Sequence, residues 1–273
     1  MIAARHYRAN FPTTNFADRK NKPQWTNCGQ VLYSYELIAT KEAFTLSEGN
    51  NNKEAQDVSA TPERVERKTQ QRSLRTKQKL LDAALEAFSE NGYKGTSTRD
   101  IAARAGVHHP LITYHFSNKD RLWRSAVKYV FADFIAELQK AEETFSGECP
   151  RARFAAMIRI YVHHAARFPA LHKIVLQESS YQSERLEWLS ENFLKPLADA
   201  ASGYLKKLQE KGVAPPGDPM ILYNMIRVSS GTLIALSLEL KNTSDIEFDQ
   251  PEKLDELADM IVRVFLPGEV EES

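Results

Sequence analysis

Cysteine is nearly absent: Cys28 and Cys149 are the only two in 273 residues. Neither sits in a CxxC pair, so the sequence offers no disulfide framework, and the scarcity fits a reducing compartment. Glycine (11) and proline (12) are also few, which permits long helices and argues against a many-turned β fold. Net charge is missing too. At +0 the whole chain has no field that favours a polyanion, so any nucleic-acid site must come from local charge. The most apolar uncharged run, between Arg227 and Glu239, is about half of the ~20 residues a membrane helix needs. The N-terminus lacks the positive start and apolar core of a signal peptide. These absences predict a cytoplasmic chain with no membrane partner.

Catalytic signatures are missing as well. No GxSxG, P-loop, GxGxxG or HExxH occurs, and no carboxylate pair sits in an acid/base setting, so neither an enzyme nor a cofactor is expected. His108/His109 and His163/His164 are adjacent pairs, and neighbours on a helix do not face each other. No histidine lies four residues from another on one helix, so no metal site is expected.

The remaining composition, 42% hydrophobic and 26% charged, is that of an ordinary globular protein. Residues 1–62 show scattered apolar positions and a polar breaker, Glu48-Gly49-Asn50-Asn51-Asn52-Lys53, and read as a disordered extension. From Pro62 to Lys79 the chain turns basic: Arg64, Arg67, Lys68, Arg72, Arg75, Lys77 and Lys79 against Glu63 and Glu66. That is a solvated helix start or, beside a DNA-binding unit, a phosphate-seeking arm.

Helical periodicity follows. Leu74, Leu81, Ala84, Leu85 and Phe88 form one stripe, ended by Asn91-Gly92. Ser97-Thr98-Arg99-Asp100 has capping-box spacing and starts a short helix with Ile101, Ala102 and Ala105 inward, stopped by Gly106. A third short helix spans about His109 to His115, with Pro110 in its first turn and Ile112 and Phe116 pointing back to the stripe. Ser117-Asn118-Lys119-Asp120 caps a long helix whose inner face carries Val127, Val130, Phe131, Phe134 and Leu138. Further helices are predicted at 151–167, 170–179, 184–211, 218–241 and 251–266, with a kink or split at Pro196. The expected fold is all-α: an N-terminal three-helix helix-turn-helix domain, then a larger helical ligand-binding/dimerisation domain.

Two short helices joined at a glycine and packed on a longer one are what a helix-turn-helix needs. The stretch Leu81 to Phe88, then Asn91-Gly92-Tyr93, Thr96 to Ala102, Ala105-Gly106-Val107 and Leu111 to Lys119 resembles the N-terminal domain of TetR-family regulators over residues 73–123. The resemblance implies base readout by Arg99, His109, Pro110, Leu111 and Thr113. It implies phosphate contacts from Thr98, Tyr114, His115 and Lys119. Two positions depart from the family: Thr113 stands where tyrosine is frequent, and His108 where many relatives have serine, which weakens side-chain capping. Tyr114 has a bland alternative, covering a hydrophobic edge. Tyr93 reads as a wedge between helices, and Phe88, Ile101, Val107, Ile112 and Phe116 as core.

The 218–241 segment is apolar on several sides, and Leu254, Leu257, Ala258, Ile261, Val264 and Phe265 form a stripe on the last helix. Two such helices suit a homodimeric four-helix interface, as the resemblance also implies. A two-fold dimer would read palindromic double-stranded operator DNA. The resemblance further implies a small-molecule cavity. Tyr161, His164, Trp188, Phe193, Tyr223 and Arg227 are its candidate lining, suited to an apolar effector with one polar or anionic end. The expected domains are 1–62, a disordered extension; 63–120, the DNA-binding unit with its basic lead-in; 121–267, the ligand-binding and dimerisation unit; and 268–273, an acidic tail. The function so implied is transcriptional regulation, as a repressor released by its ligand. The alternatives are an architectural TetR-like protein without an inducer, and a helical dimer scaffold that leaves DNA alone.

Overall fold

The computed structural model describes residues 62–267, with side chains from Gln70 onward. The extension expected at 1–62 (Pro62 apart) and the tail at 268–273 lie outside the described residues. Everything regular among the described residues is helix. Helix α1 (Pro62–Gly95) runs straight through the basic stretch and bends only at Gly92, where φ is 68°. Its inward residues Leu80, Leu81, Ala84, Leu85 and Phe88 are buried. Leu80, absent from the predicted stripe, is buried completely, while Leu74 is only half-buried.

Helix α2 (Thr98–Ala105) starts at a complete capping box: the Ser97 hydroxyl accepts from the Asp100 N–H, and the Asp100 carboxylate accepts from the Ser97 N–H. Such a cap satisfies two otherwise unpaired donors and is worth about 1 kcal/mol. Gly106 ends α2 at φ 63°, a left-handed conformation that side chains resist, and the Val107 N–H closes on the Ala102 carbonyl at 3.0 Å. Helix α3 (Pro110–Phe116) follows. Its N-cap is His109, one residue past the expected capping position, and it has no side-chain capping bond. Proline at the first position loses no hydrogen bond there, which is why so short a helix tolerates it. Ser117, at φ 68°, turns the chain sharply, and the Asn118 side chain caps α4 (Lys119–Thr144) by accepting from the Arg121 N–H.

Helices α5 (Pro150–Arg167) and α6 (Pro169–Glu178) are separated at Phe168. The predicted helix at 184–211 is α7 (Glu184–Leu189), a π-helical turn (Ser190–Leu194) and α8 (Lys195–Glu210). The wide turn lies directly before Pro196, whose ring displaces the carbonyl one turn back, so the expected disruption falls on the N-terminal side of the proline. The predicted 218–241 helix also divides: α9 (Pro219–Arg227), a π-helical turn (Val228–Thr232), α10 (Leu233–Ala235) and α11 (Ser237–Ser244). The last helix is α12 (Pro251–Phe265).

Two cores result. One joins α1–α3 to the start of α4 and continues into Leu171, Ile174 and Val175 of α6, Leu189 and Phe193. It crosses the boundary expected at residue 120. The other gathers α5, α8, α9 and α12. On α12, Leu254, Leu257, Ala258, Ile261 and Phe265 are buried against it, but Val264 is 64% exposed and does not belong to that stripe. No single described helix is long and apolar enough to cross a membrane.

Candidate nucleic-acid interface and cavity

The N-termini of α2 and α3 meet. Thr98 Oγ1 lies 3.0 Å from His109 Nε2, so the two residues flanking the helix starts are tied side chain to side chain. Around that pair Arg99, His109, Pro110 and Thr113 are exposed and Leu111 half-exposed, while Ile112 and Phe116 are 1% and 4% exposed on the opposite side of α3. Sequence spacing alone cannot show that a polar tip and an anchored back belong to one helix of seven residues; here they do. Arg99 has no side-chain hydrogen bond or ion pair among the described residues. Its neighbour Arg104 is held by Glu90 instead.

The other expected phosphate ligands lie along α3 and at the start of α4. Tyr114 is 76% exposed, which disposes of the alternative that it covers a hydrophobic edge; its ring meets only His115 edge-on, with centroids 4.9 Å apart. Burial and then the charge of Lys77 push the His115 pKa down. It therefore stands as a neutral donor rather than a cation. Lys119 rests over the Tyr93 ring at 4.4 Å, with its pKa lowered by burial first and Arg185 second. Arg185 lies over the same ring at 3.9 Å and is fixed by Glu178, 2% exposed, at 3.0 Å. Tyr93 also stacks on Phe88 and meets Trp123 edge-on, the wedge its sequence context implied. Thr96 was missed. It is 3% exposed, and its hydroxyl is within 2.9 Å of the Ala87 and 2.8 Å of the Gly92 carbonyl, tying the reading unit to the end of α1. A β-branched residue just before a capping serine was the only signal.

A second feature is a cavity of about 150 Å³ enclosed by α4, α5, α6, α8 and α9. Tyr161, His164, Tyr223 and Arg227 line it as expected, and His172 and Glu142 join them. Trp188 and Phe193 do not line it. Phe193 stacks flat on Phe131 at 4.4 Å and Trp188 packs edge-on against Phe193 and Trp123, so both rings are used up as core. Burial raises the Tyr161 and Tyr223 phenols above their ordinary pKa. It pushes His172 down to about 4, with smaller contributions from His164 and Arg227. Gly231, in the second π-helical turn, touches this cluster so closely that a Cβ there would come within 2.4 Å of His172 Nδ1 and 2.7 Å of the Tyr161 hydroxyl. Between α4 and α5, Asp133 and Glu137 converge on the buried His164, but Arg167 bonds both carboxylates at 2.8 Å.

The family model for bacterial regulatory proteins of the tetR family matches residues 80–126, the segment from the buried part of α1 to the start of α4. The HTH-type transcriptional regulator RutR of Escherichia coli (strain K12) is 28% identical over 154 residues, 56% of this chain and 71% of RutR. The chain is thus similar to TetR-family transcriptional regulators, most specifically through its helix-turn-helix segment. The HTH-type transcriptional repressor NicS of Pseudomonas putida is 25% identical over 144 residues, 53% of this chain and 66% of NicS. Among solved structures, the hemolysin II transcriptional regulator HlyIIR matches with a TM-score of 0.54 at 23% identity, covering 71% of this chain and 98% of its own. AibR, in complex with isovaleryl coenzyme A and operator DNA, matches with a TM-score of 0.52 at 18% identity, covering 71% and 100%. These structures show the same TetR fold, with a helix-turn-helix followed by a larger helical part.

Proposed function

We propose that this chain is a homodimeric, cytoplasmic repressor whose operator binding is relieved by a small molecule, with no catalytic role. Residues 63–120 form the DNA-reading domain and 121–267 the effector and dimerisation domain. One observation carries the reading: the joined tips of α2 and α3 expose Arg99, His109, Pro110 and Thr113 while Ile112 and Phe116 anchor the same element from behind. Arg99 is free to make a bidentate contact with a guanine, His109, Pro110, Leu111 and Thr113 meet neighbouring base edges and thymine methyls, and Thr98, Tyr114, His115 and Lys119 set register on phosphates.

Dimerisation follows from apolar rows that a monomer would leave wet. Ile221 and Met225 on α9 and Val228 at the start of the turn after it are 62%, 51% and 47% exposed, and Met260 and Val264 are 52% and 64% exposed on α12. Two copies facing each other through these helices place two reading tips on half-sites about 34–36 Å apart, hence a palindromic operator. The cavity is the effector site. Its wall α6 carries Leu171, His172 and Val175 on the cavity side, and the Gln177 side chain donates to the Ser89 carbonyl of α1 at 2.9 Å. An occupant that displaces α6 therefore pulls on the helix that carries the reader. It releases DNA only to the extent that it binds one head spacing better than the other. AibR, seen with both isovaleryl coenzyme A and operator DNA, is a precedent for both ligands on this fold.

The test is a gel-shift titration with the DNA flanking the chain's own gene, at 50 and 200 mM salt as the order-of-magnitude range over which phosphate contacts show. A discrete complex that tightens at low salt and survives excess unrelated DNA is expected. Equal binding to flanking and unrelated DNA contradicts the reading.

A further inference from the structure

We infer that the cavity receives a small monocarboxylate with an apolar body about the size of one aromatic ring, its carboxylate held by Arg227 together with the Tyr161 and Tyr223 hydroxyls. The inference rests on the reading of this cavity as the effector site and narrows it to a chemical class.

Charge decides the sign. Two lining residues are formally charged at neutral pH among the acids and guanidiniums present, Glu142 and Arg227. Glu142 is already paired with Arg153. Arg227 bonds only the neutral Asn224 side chain, at 3.3 Å, and no described carboxylate lies within ion-pair distance of it. With Glu142 neutralised by Arg153 from outside the lining, Arg227 is left as one uncompensated positive charge in an apolar wall, where such a charge is costly and an arriving anion is stabilised. Glu142 does not oppose this. Its partner Arg153 lies eight residues before Tyr161 on α5, about 12 Å along the axis, at the other end of the space.

The neutral donors point to a carboxylate rather than a bare apolar guest. Burial keeps both phenols protonated and the His172 ring uncharged. The buried His172 Nε2 has no hydrogen-bond partner, and the rings of Tyr161 and His172 meet edge-on at 5.6 Å. Arg227 with three neutral donors is the set that satisfies a carboxylate's acceptor sites. Gly231 presses its backbone against this cluster, so the group received there is small. The rest of the lining, including Phe131, Phe134, Leu194 and Leu197, offers hydrocarbon, with Phe134 packed against the Tyr161 ring at 5.4 Å. Cavities of about 150 Å³ with such walls take one benzene-sized guest.

Isothermal titration of the full-length protein with benzoate, hexanoate, their neutral counterparts benzamide and 1-hexanol, and cationic benzylamine tests this. The carboxylates should bind at least tenfold tighter than their neutral counterparts, about 1.4 kcal/mol, with benzylamine weakest. Arg227→Gln should abolish the discrimination and Arg227→Lys restore part of it; Tyr223→Phe, which keeps the charge, should reduce it several-fold and serves if the glutamine variant fails to fold by circular dichroism. Equal or tighter binding of the neutral compounds, a preference for benzylamine, carboxylate affinity unchanged in the variants, or no carboxylate binding overturns the inference. Operator binding read in parallel separates the two claims. Neutral compounds that bind and release DNA sink the carboxylate class and leave the effector reading standing. Carboxylates that bind through Arg227 without altering DNA affinity do the reverse.

Discussion

At the scale of single residues, a side chain's function here follows from what occupies it. Thr98 and His109 occupy each other, 3.0 Å apart, which holds two helix tips together and leaves Arg99 beside them without a partner among the described residues. Lys119 is drawn onto Tyr93. His172 is the sharpest case, because its ring stays neutral in the fold. Its pKa is pushed from 6.5 to about 4, chiefly by burial. The unfolded chain takes up this proton near pH 6.5 and the folded one only near 4, so between those values the unfolded state binds more protons. Stability from this group is therefore complete above pH 6.5 and falls as pH drops through the window. Urea unfolding at pH 7.5 and pH 5 should show wild type losing about 2 kcal/mol more than His172→Gln. Equal losses in the two proteins contradict the buried neutral ring.

At the scale of elements, the sequence is most legible where local chemistry acts alone. Ser97-to-Asp100 spacing, Gly106 and Asn118 mark their helix ends correctly because a cap is made by residues within four positions of each other. The anchors Ile112 and Phe116 follow from spacing for the same reason. Interruptions set by packing are less legible. Pro196 announces a defect, yet nothing local announces the π-helical turn at Val228–Thr232, which arises where Gly231 lets the backbone close on His172 and Tyr161 from other helices. The aromatic choices divide likewise. Tyr161 and Tyr223 reach the cavity while Trp188 and Phe193 are consumed by Trp123 and Phe131, contacts between residues about sixty positions apart that no periodicity encodes. His172, three residues after the Phe168–Pro169 break, could have been flagged only as an isolated histidine on an apolar helix.

At the scale of the whole molecule, α9 joins the proposed activities. Tyr223, Ile226 and Arg227 line the cavity, Leu222 is in the core, and Ile221 and Met225, with Val228 just past the helix, are exposed. That distribution explains a segment apolar on nearly every side: each side has a different neighbour, the outer one being a second copy of the chain in the proposed dimer. Met225→Glu places a charge in the centre of the proposed contact, which would have to be desolvated on association. Sedimentation should show a folded monomer at concentrations where wild type is dimeric, with operator affinity falling alongside. A variant that stays dimeric moves the interface elsewhere.

The claim on which the rest stands is that the tips of α2 and α3 read DNA. Fluorescence anisotropy with operator and scrambled duplexes, at two salt concentrations, tests it through Arg99→Ala and Lys119→Ala. The account predicts that Arg99→Ala loses about 1–3 kcal/mol on the operator with scrambled DNA nearly unchanged. Lys119→Ala should weaken both duplexes alike and flatten the salt slope by about 1. Operator affinity and base preference unchanged in Arg99→Ala would contradict it.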